Sequence, residues 1–374
     1  MAIYILIFCV TIIFLLFSKE YYTKFQIAKI EYENDSSNIN YEQKKDYYDK
    51  YLFFLILSIL FLGIITGLRN RNVGTDLNYT YIPQFYNILN GNNNAFTEKG
   101  FVLLNKIIQI FTNKYQSIIL ITSIIFAASL CRIAIKKSKS VVLTMIVTLL
   151  STFYFTSLNN VRQSIACIIL IEGFYYLIDK KFWKYLIVIL IASIFHITSL
   201  IMVPMYFIFN SKKIRKHFLI SCLLVIILIP VLSKLFIIIA SHTKYYYYFV
   251  SEFNNYSSNR INIAINGLWL LISFALLYNE KDINKESYVL LFIQTCAFLI
   301  SYLSLFISIS EMISRIASYF IFYQILLIPY LVNREKEKKG KIILTSTYII
   351  TYGFYMYYFI IVNGYHSVLP FKFM

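Results

Sequence analysis

The sequence predicts an all-α, polytopic transmembrane helix bundle, and three observations predict it. The 374 residues are 59% hydrophobic, with a mean hydropathy of +0.65. Apolar runs of about 18 or more residues recur along the chain, the length needed to cross the hydrocarbon core of a bilayer. The 27 lysines gather in short stretches between those runs, as topology-setting charges do. A soluble domain has no interior able to hide so many apolar runs, so 1–374 reads as a single integral membrane domain. The net charge of +17 would suit nucleic-acid binding in a soluble protein. Here the placement of the lysines assigns it to topology, and nucleic acid is not expected as a partner. Cys9, Cys131, Cys167, Cys222 and Cys296 all fall in apolar runs and form no CxxC. They read as small core hydrophobes, not as disulfides or metal ligands.

Taken in order, residues 2–18 form the first span. No basic residue precedes them and no small-x-small site follows, so they read as a retained helix with its N-terminus outside. Lys19, Lys24, Lys29, Lys44, Lys45 and Lys50 make 19–50 a charged cytoplasmic loop. Span 51–68 leads into 69–114, an outer-face loop too long for a plain connector. Its apolar positions (Ile82, Phe85, Ile88, Leu89, then Phe101 to Phe111) predict one or two helices lying at the outer interface. Further spans fall near 115–135, 141–158, 162–178, 218–240, 261–278, 288–308, 315–332 and 342–362, about ten in all. The basic loops 136–139, 179–184, 211–217, 279–287 and 333–341 are expected to be cytoplasmic. The Tyr245–Tyr248 run reads as an interfacial aromatic belt.

One conflict in this topology is informative. Loops 179–184 and 211–217 are both basic, yet only one apolar stretch, 185–209, separates them. A single span would put one loop outside. The stretch is too short for two full spans at about 1.5 Å rise per residue, and it has a polar break at His196-Ile197-Thr198-Ser199. A re-entrant or broken helix pair turning near His196 satisfies both loops. Irregular backbone at that depth is tolerated where protein buries it or a wet cavity faces it.

With this topology Arg69, Arg71, Arg162, Arg260 and Arg315, five of the eight arginines, stand at outer ends of spans. The positive-inside rule works against that placement, which makes them candidate ligand contacts. Arginine makes planar, bidentate contacts to phosphate. The outer segments also carry Asp76, Tyr79, Glu98, Asn159, Asn160, Gln163, Asn262 and Asn266. Carboxamides, carboxylates and an aromatic face are what a carbohydrate site needs. A carboxylate or histidine can take a proton from an attacking hydroxyl. Glu172, in mid-span, is expected to pair with a polar group inside the bundle. His366 is expected to be uninvolved. No DxD, no HxxxH and no His–Cys cluster is present, so no metal and no cofactor is expected.

The pieces Arg69…Val73-Gly74-Thr75-Asp76…Tyr79, Glu98-Lys99-Gly100-Phe101, Asn159-Asn160-Val161-Arg162-Gln163, Phe195-His196…Ser199 and the late Arg315 carry a resemblance. Together they resemble the EpsG family of Wzy-like polysaccharide polymerases, over nearly the whole chain. The resemblance implies a GT-C-like membrane glycosyltransferase in the bacterial cytoplasmic membrane, with its active site outside. It implies joining of undecaprenyl-diphosphate-linked oligosaccharide repeat units into capsule, exopolysaccharide or O-antigen, with the lipid diphosphate as leaving group. Donor and acceptor are then both polyprenyl-linked oligosaccharides, and a flippase and a chain-length regulator are the implied partners. On this reading Asp76 is the expected base and His196 the alternative. Arg69, Arg71, Arg162, Gln163, Arg260, Arg315, Tyr79, Glu98 and Asn160 are the expected diphosphate and sugar contacts. The competing functions are a lipid-linked oligosaccharide flippase or transporter, and another polyprenyl-dependent glycosyltransferase or ligase. A transporter would show internal repeats and polar residues along a membrane path; the chain shows no repeat and gathers its polar residues on one side.

Overall fold

Residues 19–50 are mostly helix, not loop. In the computed structural model, which describes residues 1–92, 98–243, 260–278, 285–307 and 310–374, helix α1 (Ala2–Asn34) runs through the first apolar stretch and on into the charged one. Helix α2 (Asn38–Gly67) returns after a three-residue turn, with the Ser37 hydroxyl accepting the Asn40 N–H at 3.3 Å as its cap. Ring pairs Phe14–Phe61, Tyr22–Tyr51, Phe25–Tyr48 and Tyr32–Tyr41 step in opposite senses along the two helices, so these run antiparallel. The charges do not break the helices because they fall at helical spacing: Glu20 with Lys24 at 2.6 Å and Asp46 with Lys50 at 2.7 Å. The aromatic zipper, rather than these exposed ion pairs, holds the hairpin closed. At 33 residues α1 is about 50 Å long, more than the roughly 30 Å hydrocarbon core.

Two short amphipathic helices do occupy 69–114: α3 (Ile82–Leu89), entered through a π-type turn at Leu77–Tyr81, and α4 (Lys99–Gln109). Their apolar faces pack through Tyr81, Phe85, Phe101 and Ile108 onto Ile118 and Ile119 of α5 (Gln116–Lys136) and Ile165 of a later helix. The spans expected at 141–158 and 162–178 are both broken. Helices α6 (Val141–Leu150) and α7 (Phe153–Asn159) meet at 56° across Ser151 and Thr152, Thr152 taking a left-handed φ of 63°. Helices α8 (Val161–Glu172) and α9 (Phe174–Ile178) part at Gly173.

The reversal near His196 is present. Helix α10 (Phe182–Phe195) ends one residue before it, a 3₁₀ turn spans Ile197–Ile201, and α11 (Met202–Asn210) follows. Phe182, at the start of α10, packs against Tyr206 and Phe207 near the end of α11, ring centroids 5.1 and 5.3 Å apart. Tyr185 stacks on Tyr206 at 5.8 Å. The two arms therefore fold back on each other, and Lys180, Lys212 and Arg215 line one cleft at the same end. Like charges clustered in two loops, with too few residues between them for two spans, had no other way to share a side.

Helices α12 (Lys212–Lys216), α13 (Phe218–Ser241), α14 (Arg260–Leu277), α15 (Lys285–Leu303), α16 (Ser310–Ile321), α17 (Gln324–Arg334) and α18 (Lys338–Met356) complete the order. Among the described residues, seven helical stretches are long and apolar enough to span a membrane, eight if α6 and α7 make one bent span. This is fewer than the ten expected, because 162–178 is split and α18 is rich in Lys, Thr and Tyr. The Tyr245–Tyr248 run and most of 279–287 lie outside the described residues.

The chain forms two compact units, each assembled from separated stretches: residues 1–172, 191–197 and 328–374, and residues 173–190 and 198–327. In the first, Glu172, the last residue of α8, meets Arg132 Nε at 3.5 Å and Lys137 Nζ at 3.7 Å, at the end of α5 rather than in mid-span. In the second, Asn266 donates to Ser301 Oγ at 3.2 Å, and Gln324 donates to Gln294 Oε1 at 3.1 Å. Asn266, on α14, is thereby buried as a polar tie to α15, the way amides join helices in lipid.

Candidate functional site

Helix α2 ends at Gly67 and leaves its last carbonyls without helical partners. Arg69 folds inward to meet them. Its Nη1 donates to Thr66 O at 3.0 Å and Ser123 Oγ at 2.9 Å, and its Nη2 to Leu158 O at 3.2 Å. The residue is 1% exposed. The sequence reading put its guanidinium on the outer surface against phosphate. The structure spends it on protein oxygens, tying the end of α2 to α5 and α7. Gly74 follows with φ of 106°, and a Cβ there would lie 2.6 Å from Leu158 O, so only glycine fits. The Asp76 N–H then donates to Asn159 Oδ1 at 2.7 Å. Leu158 thus packs closely on the Gly74 end of the turn, and Asn159 holds its Asp76 end.

A second segment straps this turn from outside the helices. Asn70 N–H donates to Lys372 O at 2.7 Å, Gly74 N–H to Ser367 O at 3.2 Å and Met374 N–H to Leu68 O at 3.1 Å. Tyr4 donates to Val368 O at 2.8 Å. His366 lies within this strap, its Nδ1 2.8 Å from Asn159 Nδ2. The residue expected to be uninvolved is joined to the Asp76 turn through one side chain. Only a polar Gly364-Tyr365-His366-Ser367 patch after the last apolar run marked it in the sequence.

The third component centres on Glu98. It precedes the first residue of α4, and Gly100 brings that helix so close to α10 that a Cβ would meet Ile194 O at 2.8 Å. The end of α10 delivers His196, and the start of α8 delivers Arg162. One carboxylate takes both: Glu98 Oε1 is 2.9 Å from His196 Nδ1, and Oε2 accepts from Arg162 Nη1. All three side chains are between 16% and 18% exposed, sheltered yet reachable. The Arg162 guanidinium lies over the rings of Tyr81 and Phe101, 5.5 and 5.7 Å from their centroids. The Tyr81 hydroxyl accepts the Arg162 backbone N–H at 3.4 Å.

Charge fixes the protonation pattern. Burial alone would raise the Glu98 carboxyl, but the hydrogen bond to His196 and the charge of Arg162 outweigh it and hold it below its usual range. Glu98 is therefore an ionised acceptor, and His196 Nδ1 must carry the proton it receives. In the neutral imidazole, Nε2 is then the basic atom. Burial pushes the Tyr81 phenol up, Arg162 draws it down, and Asp76 pushes it up again. The charges of Asp76 and Arg162 thus meet across one tyrosine.

The first unit therefore gathers Asp76, Glu98, Asn159, Asn160, Arg162 and His196. Asn160 Oδ1 accepts from Asn159 at 3.2 Å. Arg71 is exposed and donates from Nε to Asn78 Oδ1 at 2.7 Å. Tyr79 is 81% exposed, and Gln163 is buried within α8. Arg260, exposed, and Arg315, half-buried, belong to the second unit. Among the described residues no three His, Cys, Asp or Glu side chains gather as metal ligands would.

No curated protein and no solved structure compared with the chain matches it. The family model for the EpsG family does, over residues 52–373, a stretch that takes in the glycine turn, the Glu98 cluster and nearly all of the strap. With most of its length matched, the chain belongs to the EpsG family, a family of Wzy-like polysaccharide polymerase-type proteins.

Proposed function

We propose that this protein lengthens a polysaccharide by joining undecaprenyl-diphosphate-linked oligosaccharide repeat units at the outer face of a bacterial cytoplasmic membrane. The observation that carries the reading is the single Glu98 carboxylate holding Arg162 and His196 side by side. Glycosyl transfer from a lipid diphosphate needs those two functions within reach of one another. The acceptor hydroxyl attacks the anomeric carbon, its proton passes to His196 Nε2, and the C1–O bond to the diphosphate breaks. The electron pair leaves on the diphosphate, where Arg162 offsets the developing charge. Glu98 takes one arm of the Arg162 fork and leaves other donors for phosphate. It also orients His196, the role a carboxylate plays behind a catalytic imidazole.

Exposed Arg71 remains a proposed phosphate contact, and the outward ring of Tyr79 a sugar platform. Asp76, first expected as the base, has its backbone N–H held by Asn159. It is assigned to the acceptor sugar's hydroxyls.

The reading is tested by deleting the gene and examining lipid-linked products. Loss of polymer with single repeat units accumulating on the lipid at the outer face supports it. Single units confined to the inner face would make the protein a flippase instead.

A further inference from the structure

We infer that His366 is a positioning residue for the Gly74-Thr75-Asp76 turn, acting through Asn159; its activity arm rests on the polymerase reading, its geometry does not. The Asp76 backbone N–H can only donate, so the Asn159 atom 2.7 Å away is its oxygen. The other end of that amide is then the NH₂ group. Its two protons go to Asn160 Oδ1 at 3.2 Å and His366 Nδ1 at 2.8 Å. Asn159, 6% exposed, is thereby fully satisfied. The chain of bonds also sets the tautomer: His366 Nδ1 must accept, so its proton sits on Nε2 in the neutral ring. This is the opposite of His196, whose Nδ1 donates to Glu98.

The backbone shows that the placement is held against local preference. His366 and Ser367 have φ of 67° and 49°, left-handed conformations that non-glycine residues seldom adopt. The Ser367 carbonyl beside it accepts from Gly74 N–H at 3.2 Å. The strap therefore grips the turn twice, once by backbone at Gly74 and once by side chains at Asp76. Removing the imidazole acceptor leaves Asn159 with one unspent proton, held only by Asn160 on that side, and so loosens its grip on the Asp76 N–H.

The test uses a cysteine at Thr75, an exposed position in the turn, in full-length protein whose five native cysteines are replaced. Its labelling rate by a thiol reagent reads how firmly the turn is held. His366→Gly keeps the left-handed backbone without the acceptor, and His366→Ala adds backbone strain. His366→Asn places Oδ1 where Nδ1 stands and tolerates the left-handed φ. The expectation is a several-fold faster labelling in the Gly and Ala variants and a return to the parent rate in Asn. With lipid-linked repeat units as substrate, kcat should fall about tenfold in the Gly variant, with KM little changed, and recover in the Asn variant. An unchanged labelling rate in both the Gly and Ala variants overturns the proposal. So does a fall in kcat with labelling unchanged, which would mean that His366 touches substrate directly. If labelling behaves as expected but the parent protein elongates nothing, the positioning role stands and the polymerase reading fails.

Discussion

Glu98 carries two demands on one carboxylate, and each can be removed separately. Glu98→Gln keeps an oxygen for His196 Nδ1–H but turns an amide toward the Arg162 guanidinium, donor against donor. Polymer formation should drop about 10²-fold, at the low end of what a positioned base contributes. His196→Ala should lose at least as much, and Asp76→Asn less than either, measured as polymer per unit of membrane protein. Wild-type output from His196→Ala with none from Asp76→Asn would return the base to Asp76. Arg162→Lys keeps charge but loses the planar fork, so it should also lower activity substantially. The Glu98 pairing has a pH signature as well. A carboxyl held below its usual range contributes stability above the unfolded value, near about 4.3, and loses it as pH falls through the lowered folded value. The melting temperature of the purified protein should therefore fall on acidification below about pH 4. Glu98→Gln should flatten that limb; an identical limb in the variant would show that the pairing contributes nothing.

At the scale of elements, the legible features were those set by local chemistry. The polar break at His196 between two lysine clusters favoured a reversal over a single span, and Phe182 packed on Tyr206 and Phe207 is that reversal. The turn residues Gly74 and Asp76 were legible because glycine and aspartate have few other uses at a span end. The hairpin of α1 and α2 was not, because a run of lysines reads as loop unless the tyrosines that zip it are paired in register. Nor was the strap: that His366 meets Asn159 depends on contacts across 207 positions, which no local pattern encodes. Nor was the burial of Arg69, whose partners Ser123 and Leu158 come from two other helices. Two element-scale tests follow from the geometry. Cysteines at Lys181 and Lys213 should both resist an impermeant thiol reagent in intact cells, and labelling of just one would replace the hairpin by a single span. Gly100→Ala would drive a Cβ into Ile194, 2.1 Å from its Cγ2 and 2.8 Å from its backbone oxygen. Such overpacking costs about 1–3 kcal/mol, and it should loosen α4 enough to lower activity along with melting temperature. Full activity in Gly100→Ala would show that Glu98 does not depend on this close approach.

For the whole molecule, composition alone was enough to establish a multi-pass membrane protein, and the number of spans was not. Among the described residues seven or eight helical stretches are long and apolar enough to cross a membrane where ten were expected, because irregular helices such as α6–α7 and α8–α9 break up what a hydropathy run joins. Family membership supplies a polysaccharide polymerase-like function, and the arrangement around Glu98 supplies a chemical means for it. The most direct test is reconstitution. The purified protein in lipid nanodiscs, which offer no compartment to transport into, is given a single purified polyprenyl-diphosphate-linked repeat unit and nothing else. The account predicts a ladder of longer lipid-linked products, with one polyprenyl diphosphate released per new linkage, and no ladder from His196→Ala. A folded wild-type protein that leaves the single units unextended and releases no diphosphate would contradict it.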